Sequence, residues 1–254
     1  MDKSILRRKF DKEISKARSI IYDECDMIKT GYKLIDERYG GFRKGELILI
    51  SSDGGIGIRT FAFDTLIYNA INNKIPVLYI SFYKKTFAVI LDIIYHICIE
   101  GKDPLTYEIE NNEYDEMLQR FRESPIYIHH QNIPDMDEIL EICEKLEPES
   151  PQLIIIDQIN RLDMSENESI EILDVFNKIA EIKNVNVLVL SDIQKSTRMV
   201  DYSIMMYSED FYEEDSYLRD VYNVNIEIED HNCGNIVCGS LEYLKTTKHF
   251  IDCL

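Results

Sequence analysis

Basic residues are scarce in this chain. Asp and Glu number 47 against 28 Lys and Arg, which gives a formal net charge of -19 over 254 residues. Proteins that bind duplex nucleic acid usually carry a basic stripe, because neutralising phosphates provides most of the non-specific affinity. Nucleic-acid binding is therefore not expected. One basic cluster near the N-terminus is interpreted as the solvated face of a helix. Its members are Lys3, Arg7, Arg8 and Lys9.

The sequence also lacks a secretory signal and an apolar run of membrane-spanning length. We therefore expect a cytoplasmic protein without a membrane segment, whose six scattered cysteines are reduced thiols. His231-x-Cys233 followed by Cys238 is the pattern most similar to a metal-binding corner. It lacks the second ligand pair that a tetrahedral zinc site needs. No metal site is expected from the sequence.

A glycine-rich turn organises the chain. Residues 47–50 form an apolar run too short for a helix, and Gly54, Gly55 and Gly57 follow before a helical pattern over residues 61–70. This order is typical of the strand, phosphate-binding loop and helix of a nucleotide-binding domain. A tight strand-to-helix turn without ligand is the alternative interpretation.

Predicted strands and helices alternate after this turn. The strands are residues 76–81, 125–128, 153–157 and 185–191, and the helices are residues 86–100, 104–122, 135–146 and 170–182. Shorter β-like runs at residues 202–206, 224–228 and 236–241 predict a terminal antiparallel extension. We expect an α/β fold with a doubly wound, mainly parallel sheet and antiparallel C-terminal strands.

Two segments are predicted along the chain. Residues 1–28 contain apolar residues at helical spacing and are expected to form an amphipathic helix or linker. Residues 29–254 are expected to form the α/β domain.

Several motifs follow one another in a set order through this domain. They are Thr30-Gly31-Tyr32 to Asp36, Gly45-Glu46-Leu47-Ile48, Arg59-Thr60-Phe61-Ala62, residues 77–83, Leu153 to Asp157, and residues 184–194. Together they resemble the RecA-like motor domain of DnaB-type replicative helicases of superfamily 4. The resemblance covers the chain from about Thr30 to its end, although no single motif is intact.

The resemblance implies a nucleotide site whose chemistry is largely lost. A working loop reads G-x-x-x-x-G-K-[ST], with the lysine on the phosphates and the hydroxyl on Mg²⁺. Here Ser52 stands in the first glycine position, Ile58 in the lysine position and Arg59 in the hydroxyl position. Asp157, in the Walker B position, is retained. The vestigial nucleotide-binding set is Ser52, Gly54, Gly55, Gly57, Ile58, Arg59, Thr60 and Asp157.

The positions implied for catalysis also differ from the family pattern. Tyr83 replaces the glutamate that orients water, and Asp192 replaces a phosphate-sensing glutamine. Glu229 and His231 lie where the family supplies a lysine and an arginine finger to a neighbouring subunit. No catalytic residue and no cofactor is therefore expected.

Two main functional hypotheses remain. The first is a non-catalytic module that acts through protein contacts, as a homo-oligomer or with a protein such as a replicative helicase, in replication of a genome or mobile element. The second is an atypical ATP-dependent DNA helicase. A one-residue shift would make Arg59 the phosphate-binding cation and Thr60 the Mg²⁺ ligand, and ATP and Mg²⁺ would then be cofactors. Structural use of the fold alone is a third possibility.

Overall fold

A computed structural model describes residues 27–52, 56–99, 111–132, 135–146, 150–157, 159, 166–191, 199–210, 220–245 and 249–252. The predicted N-terminal helix, apart from its last two positions, lies outside these residues. Gly54, Gly55 and Asp192 lie outside them as well.

The strands alternate with helices along most of the described chain. The strands are β1 Met27–Ile28, β2 Phe42–Arg43, β3 Leu47–Ser52, β4 Val77–Ser81, β5 Ile126–His130, β6 Leu153–Asp157, β7 Asn186–Ser191, β8 Tyr202–Tyr207, β9 Val221–Asp230, β10 Asn235–Leu244 and β11 His249–Asp252. The helices are α1 Lys33–Tyr39, α2 Ile58–Leu66, α3 Thr86–Ile99, α4 Asn111–Arg122, α5 Met136–Lys145 and α6 Glu166–Lys183. A π-helical segment, Ile67–Asn72, continues α2.

Among the described residues, nine strands form one sheet in the order β11-β10-β9-β8-β3-β7-β6-β4-β5. Strands β3 to β8 are parallel, and β9, β10 and β11 are antiparallel. The predicted α/β fold with a mainly parallel sheet and antiparallel C-terminal strands is confirmed. None of the described helices is both long and apolar enough to cross a membrane.

The prediction for the run at residues 202–206 was wrong in direction. Strand β8 is parallel to β3, with Tyr202 paired to Ile48, so the antiparallel part begins only at β9. The physical reason lies at the start of the strand. The Leu47 amide donates to the Asp201 carboxylate over 2.9 Å, and the Asp201 amide donates to the Leu47 carbonyl over 2.9 Å. These two hydrogen bonds align the first residues of β8 with the first residues of β3, so the two strands run in the same direction.

The sheet is buried on both faces because successive side chains of a strand point to opposite sides. Ile48 and Ile50 of β3 belong to the core on the side of α2. Leu47 and Leu49 belong to the core on the other side, with Phe176 of α6. This arrangement is that of a doubly wound sheet, whose central strands are continuously apolar.

Candidate nucleotide site

The parallel strands bring the glycine-rich loop and the retained acid to the same edge of the sheet. Strand β3 ends at Ser52, immediately before the loop, and β6 ends at Asp157. Asp157 pairs in register with Ser81, the last residue of β4. Since ligands of doubly wound sheets bind at the carboxyl ends of the strands, this edge is the candidate site.

Gly57 starts the helix that follows the loop. Its φ of +68° is in the left-handed region, which favours glycine. A Cβ added at Gly57 would lie 2.3 Å from Cζ of Phe250, so the ring of this β11 residue packs directly on the glycine. Ile58 begins α2 and is buried, with 1% exposure. The start of α2 therefore presents an aliphatic side chain to the core and a glycine to an aromatic ring.

Arg59 and Asp157 form an ion pair at the centre of the site. Arg59 Nε lies 3.5 Å from Asp157 Oδ1, and the guanidinium stands over the Tyr83 ring at 5.1 Å from its centroid. Burial raises the pKa of the Asp157 carboxyl, and the nearby Arg59 charge opposes this rise. Tyr79, on the neighbouring strand, also interacts with Asp157, and burial raises the pKa of its hydroxyl. Arg59, Tyr83 and Asp157, which the sequence predicts to belong to one site, lie together in the structure.

Thr60 is turned toward the C-terminal strands. It is buried, and its hydroxyl shares a hydrogen bond with Tyr243 of β10. Burial raises the pKa of Tyr243, while the hydrogen bond with Thr60 lowers it. The hydroxyl that a shifted loop register would assign to Mg²⁺ therefore has a partner within the protein.

A cavity of about 290 Å³ lies between α2, α3 and β10. Arg59 and Thr60 line it from α2, and Lys84 and Asp92 line it from the opposite side. Lys84 forms an ion pair with Asp92. The positive charges of Arg59 and Lys84 are thus both compensated by carboxylates of the protein.

Glu229 and His231 lie away from this site. Strand β9 runs antiparallel to β8, and Asp230 pairs with Tyr202, which places both residues at the edge where β3 begins. His231 Nδ1 lies 3.5 Å from Glu229 Oε1, and His231 Nε2 lies 3.0 Å from Ser203 Oγ.

The structure groups three site residues that sequence reasoning missed. Asp64 of α2, His96 of α3 and His249 of β11 meet beside the cavity. Nothing in the sequence indicates this group, because its members lie on separate elements and no short spacing connects them.

The family model for the DnaB-like helicase C-terminal domain matches residues 27–202. The chain belongs to this DnaB-like family. Many solved structures share its fold. The ATPase domain of G40P superposes with a TM-score of 0.76 at 17% identity, covering 96% of this chain and 98% of that chain. A DnaB-like replicative helicase, described with its interactions with primase, superposes with a TM-score of 0.74 at 15% identity, covering 96% of this chain and 66% of that chain. No curated protein matches the sequence.

In this DnaB-like domain, the retained acid Asp157 and the guanidinium of Arg59 are partners of one another. A phosphate that displaced Asp157 from Arg59 would have to break this ion pair. Breaking such a pair leaves a buried carboxylate without its compensating charge, which is costly in a protein interior.

Proposed function

We propose that this protein is a catalytically degenerate DnaB/RecA-like domain that acts through protein contacts in the DNA replication of a genome or a mobile element. The observation that carries the proposal is the ion pair between Arg59 and Asp157, with 3.5 Å between Nε and Oδ1. In P-loop ATPases, Mg²⁺ is held by the loop hydroxyl and the Walker B acid. Here a guanidinium in the hydroxyl position meets that acid, so the protein supplies a positive charge of its own.

The side chains around this ion pair support the same proposal. Ile58 is aliphatic and buried, so it cannot neutralise phosphate charge. Tyr83 lies under the Arg59 guanidinium, where the family resemblance places a glutamate. Phosphoryl transfer is catalysed mainly by positioning and positive charge, and losing an arginine finger alone costs on the order of 10³ to 10⁵ in rate. We therefore expect negligible ATP hydrolysis by the family mechanism.

An exposed apolar stripe on α3 supports a role in protein contacts. Phe87, Leu91 and Tyr95 are 64%, 51% and 46% exposed, and their spacing of four residues places them on one helix face. Contiguous exposed apolar patches often mark interaction sites. The partner is a second copy of the chain or another protein, for which a replicative helicase is our proposal. The fold similarity to a helicase described with its interactions with primase supports a role in protein contacts.

We also propose a cytoplasmic location without nucleic-acid binding. The net charge of -19 supports the proposal that the protein does not bind nucleic acid. Cys98 and Cys143 are buried thiols, which is compatible with a reducing compartment.

An atypical ATP-dependent helicase is the second candidate. It is favoured by one observation, namely that Arg59 and Thr60 both line the 290 Å³ cavity. A one-residue shift of the loop would give them the roles of lysine and hydroxyl. This candidate requires the side chains of Arg59 and Thr60, which now interact with Asp157 and Tyr243, to reach the nucleotide phosphates and Mg²⁺.

The two candidates are separated by titrating the protein with a fluorescent ATP analogue and Mg²⁺. Three proteins are compared: the native chain, Arg59→Ala, and the double variant Ile58→Lys/Arg59→Thr, which restores the G-K-T of a working loop. We expect no saturable binding by the native chain below about 100 µM, and measurable binding by the double variant.

The alternative predicts a different pattern. Micromolar, Mg²⁺-dependent binding by the native chain that is lost in Arg59→Ala would contradict the degenerate site and support the shifted register. Arg120→Ala is the control, because Arg120 is an exposed residue of α4 outside the cavity.

A further inference from the structure

Asp64, His96 and His249 form a cluster beside the candidate nucleotide site, in which the two histidines are buried and Asp64 is partly exposed. Asp64 lies on α2, His96 on α3 and His249 on β11, so the cluster joins three separate elements. His96 and His249 are 5% and 7% exposed. We propose that this cluster is a binding site for Zn²⁺, held by two imidazoles and one carboxylate.

The distances within the cluster are close to those of a metal site. His96 Nε2 lies 2.7 Å from Asp64 Oδ1, and the ligand atoms of all three residues lie within 4.8 Å of one another. A tetrahedral zinc with bonds of about 2.0–2.1 Å requires ligand separations of roughly 3.4 Å. The 2.7 Å between His96 Nε2 and Asp64 Oδ1 must therefore widen as the ion takes the place of the proton between them, whereas ligand atoms as far as 4.8 Å apart must approach one another.

His249 is the ligand best able to make that adjustment. Its ring is stacked on His96, with centroids 4.1 Å apart and planes at 12°, so one ring must tilt to direct its nitrogen at a shared ion. Strand β11 is a four-residue strand that pairs with β10 on one side and forms the edge of the sheet. A change in this strand disturbs less of the sheet than a change in a central strand.

The surroundings of Asp64 and His96 suit a zinc ligand set. The Tyr32 hydroxyl donates to Asp64 Oδ2, which orients the carboxylate and leaves Oδ1 toward His96. Hydrogen bonds of this kind orient metal ligands in known zinc sites. The Phe63 ring packs edge-on against His96 with centroids 5.6 Å apart, which limits its rotation. The cavity lined by His96 gives room for water as the fourth ligand.

Metal binding at this cluster would fasten β11 to α2 and α3. Phe250 follows His249 directly, and its ring covers Gly57 at the start of α2. Zinc would therefore hold the C-terminal strand over the glycine-rich turn, whether or not the site binds nucleotide.

The test uses the 254-residue chain, freed of metal with a chelator and then titrated with Co²⁺ as a spectroscopic substitute for zinc. We expect one equivalent to produce the visible absorption of four-coordinate Co²⁺, and Zn²⁺ to displace it. At about 100 times its dissociation constant, Zn²⁺ should also raise the melting temperature by roughly 5–10 °C.

Variants assign the signal to the cluster. His249→Ala and His96→Gln should each abolish the Co²⁺ absorption, and Asp64→Asn, which keeps the side-chain shape, should weaken affinity at least about tenfold. His231→Ala and Cys233→Ser/Cys238→Ser are the controls and should bind as the native chain does. Circular dichroism checks that each variant is folded.

Absence of Co²⁺ and Zn²⁺ binding by the native chain would overturn the proposal. Binding that persists in His249→Ala, or that disappears in the Cys233→Ser/Cys238→Ser control, would overturn it as well, because the metal would then sit elsewhere.

Discussion

At the scale of single residues, Asp157 is the most unusual group of the site. It is a carboxylate with 0% exposure at the end of a central strand, beside Arg59. Burial raises its pKa above the ordinary value of 3.8, despite the opposing charge of Arg59. The folded chain therefore holds this proton to higher pH than the unfolded chain does.

This shift has a defined effect on stability. The contribution of Asp157 is fully present below pH 3.8 and is lost as the pH rises through the folded pKa. Asp157→Asn removes the titration. We expect the unfolding free energy of the native chain, relative to that of Asp157→Asn, to fall by at most about 1.4 kcal/mol per pH unit above pH 3.8.

Urea unfolding at several pH values between about 4 and 7 measures this difference. Asp174→Asn is the matched control, because Asp174 forms an exposed ion pair with Lys178. A difference that rises with pH would contradict the inferred direction of the Asp157 shift.

At the scale of elements, the contact between β11 and the start of α2 was not anticipated. The segment His249–Asp252 is too short for alternation to be recognised, and it becomes a strand because β10 offers an edge for pairing. Phe250 then reaches Gly57 and also contacts Tyr32 and Tyr243, with ring centroids 6.0 Å and 5.0 Å away. The glycine is required both by its backbone angle and by this ring.

Gly57→Ala should reveal both requirements. A non-glycine residue in the left-handed region costs roughly 1–2 kcal/mol, and the clash with Phe250 adds a comparable amount. We expect a loss of about 2–4 kcal/mol in the native background and about 1–2 kcal/mol in Phe250→Ala, measured by urea unfolding.

Gly234→Ala provides the matched control. Gly234 has a similar φ of +71°, and a Cβ added there would meet nothing within 4 Å. Its cost should be the same in both backgrounds. An equal cost of Gly57→Ala in both backgrounds would argue against the Phe250 contact.

At the scale of the whole molecule, the net charge of -19 governs encounters with other macromolecules. Single-stranded DNA carries one negative charge per phosphate and is bound through basic grooves. We expect no saturable binding of a labelled oligothymidylate by up to about 100 µM protein at low salt, measured by fluorescence anisotropy.

The N-terminal basic cluster provides a specific check. Replacing Lys3, Arg7, Arg8 and Lys9 by alanine should leave the anisotropy titration unchanged. Micromolar binding that weakens steeply with added salt would contradict the expectation, and its loss in this variant would assign the binding to the cluster.

The sequence determined the architecture to a large extent because the residue patterns that specify strands and helices lie within single segments of the chain. Buried parallel strands such as β3 and β6 require continuous aliphatic runs, which are visible without knowledge of any partner strand. The replacement of the loop lysine by Ile58 is visible in the same way. Charge is also a property of the sequence alone.

The tertiary structure decided what depends on residues far apart in the chain. The direction of β8 depends on pairing with β3, and the Arg59–Asp157 ion pair depends on β3 and β6 ending at one edge. The meeting of Asp64, His96 and His249 depends on how α2, α3 and β11 pack. Sequence patterns record the periodicity of one segment, whereas pairing and packing are set by free energies shared between segments.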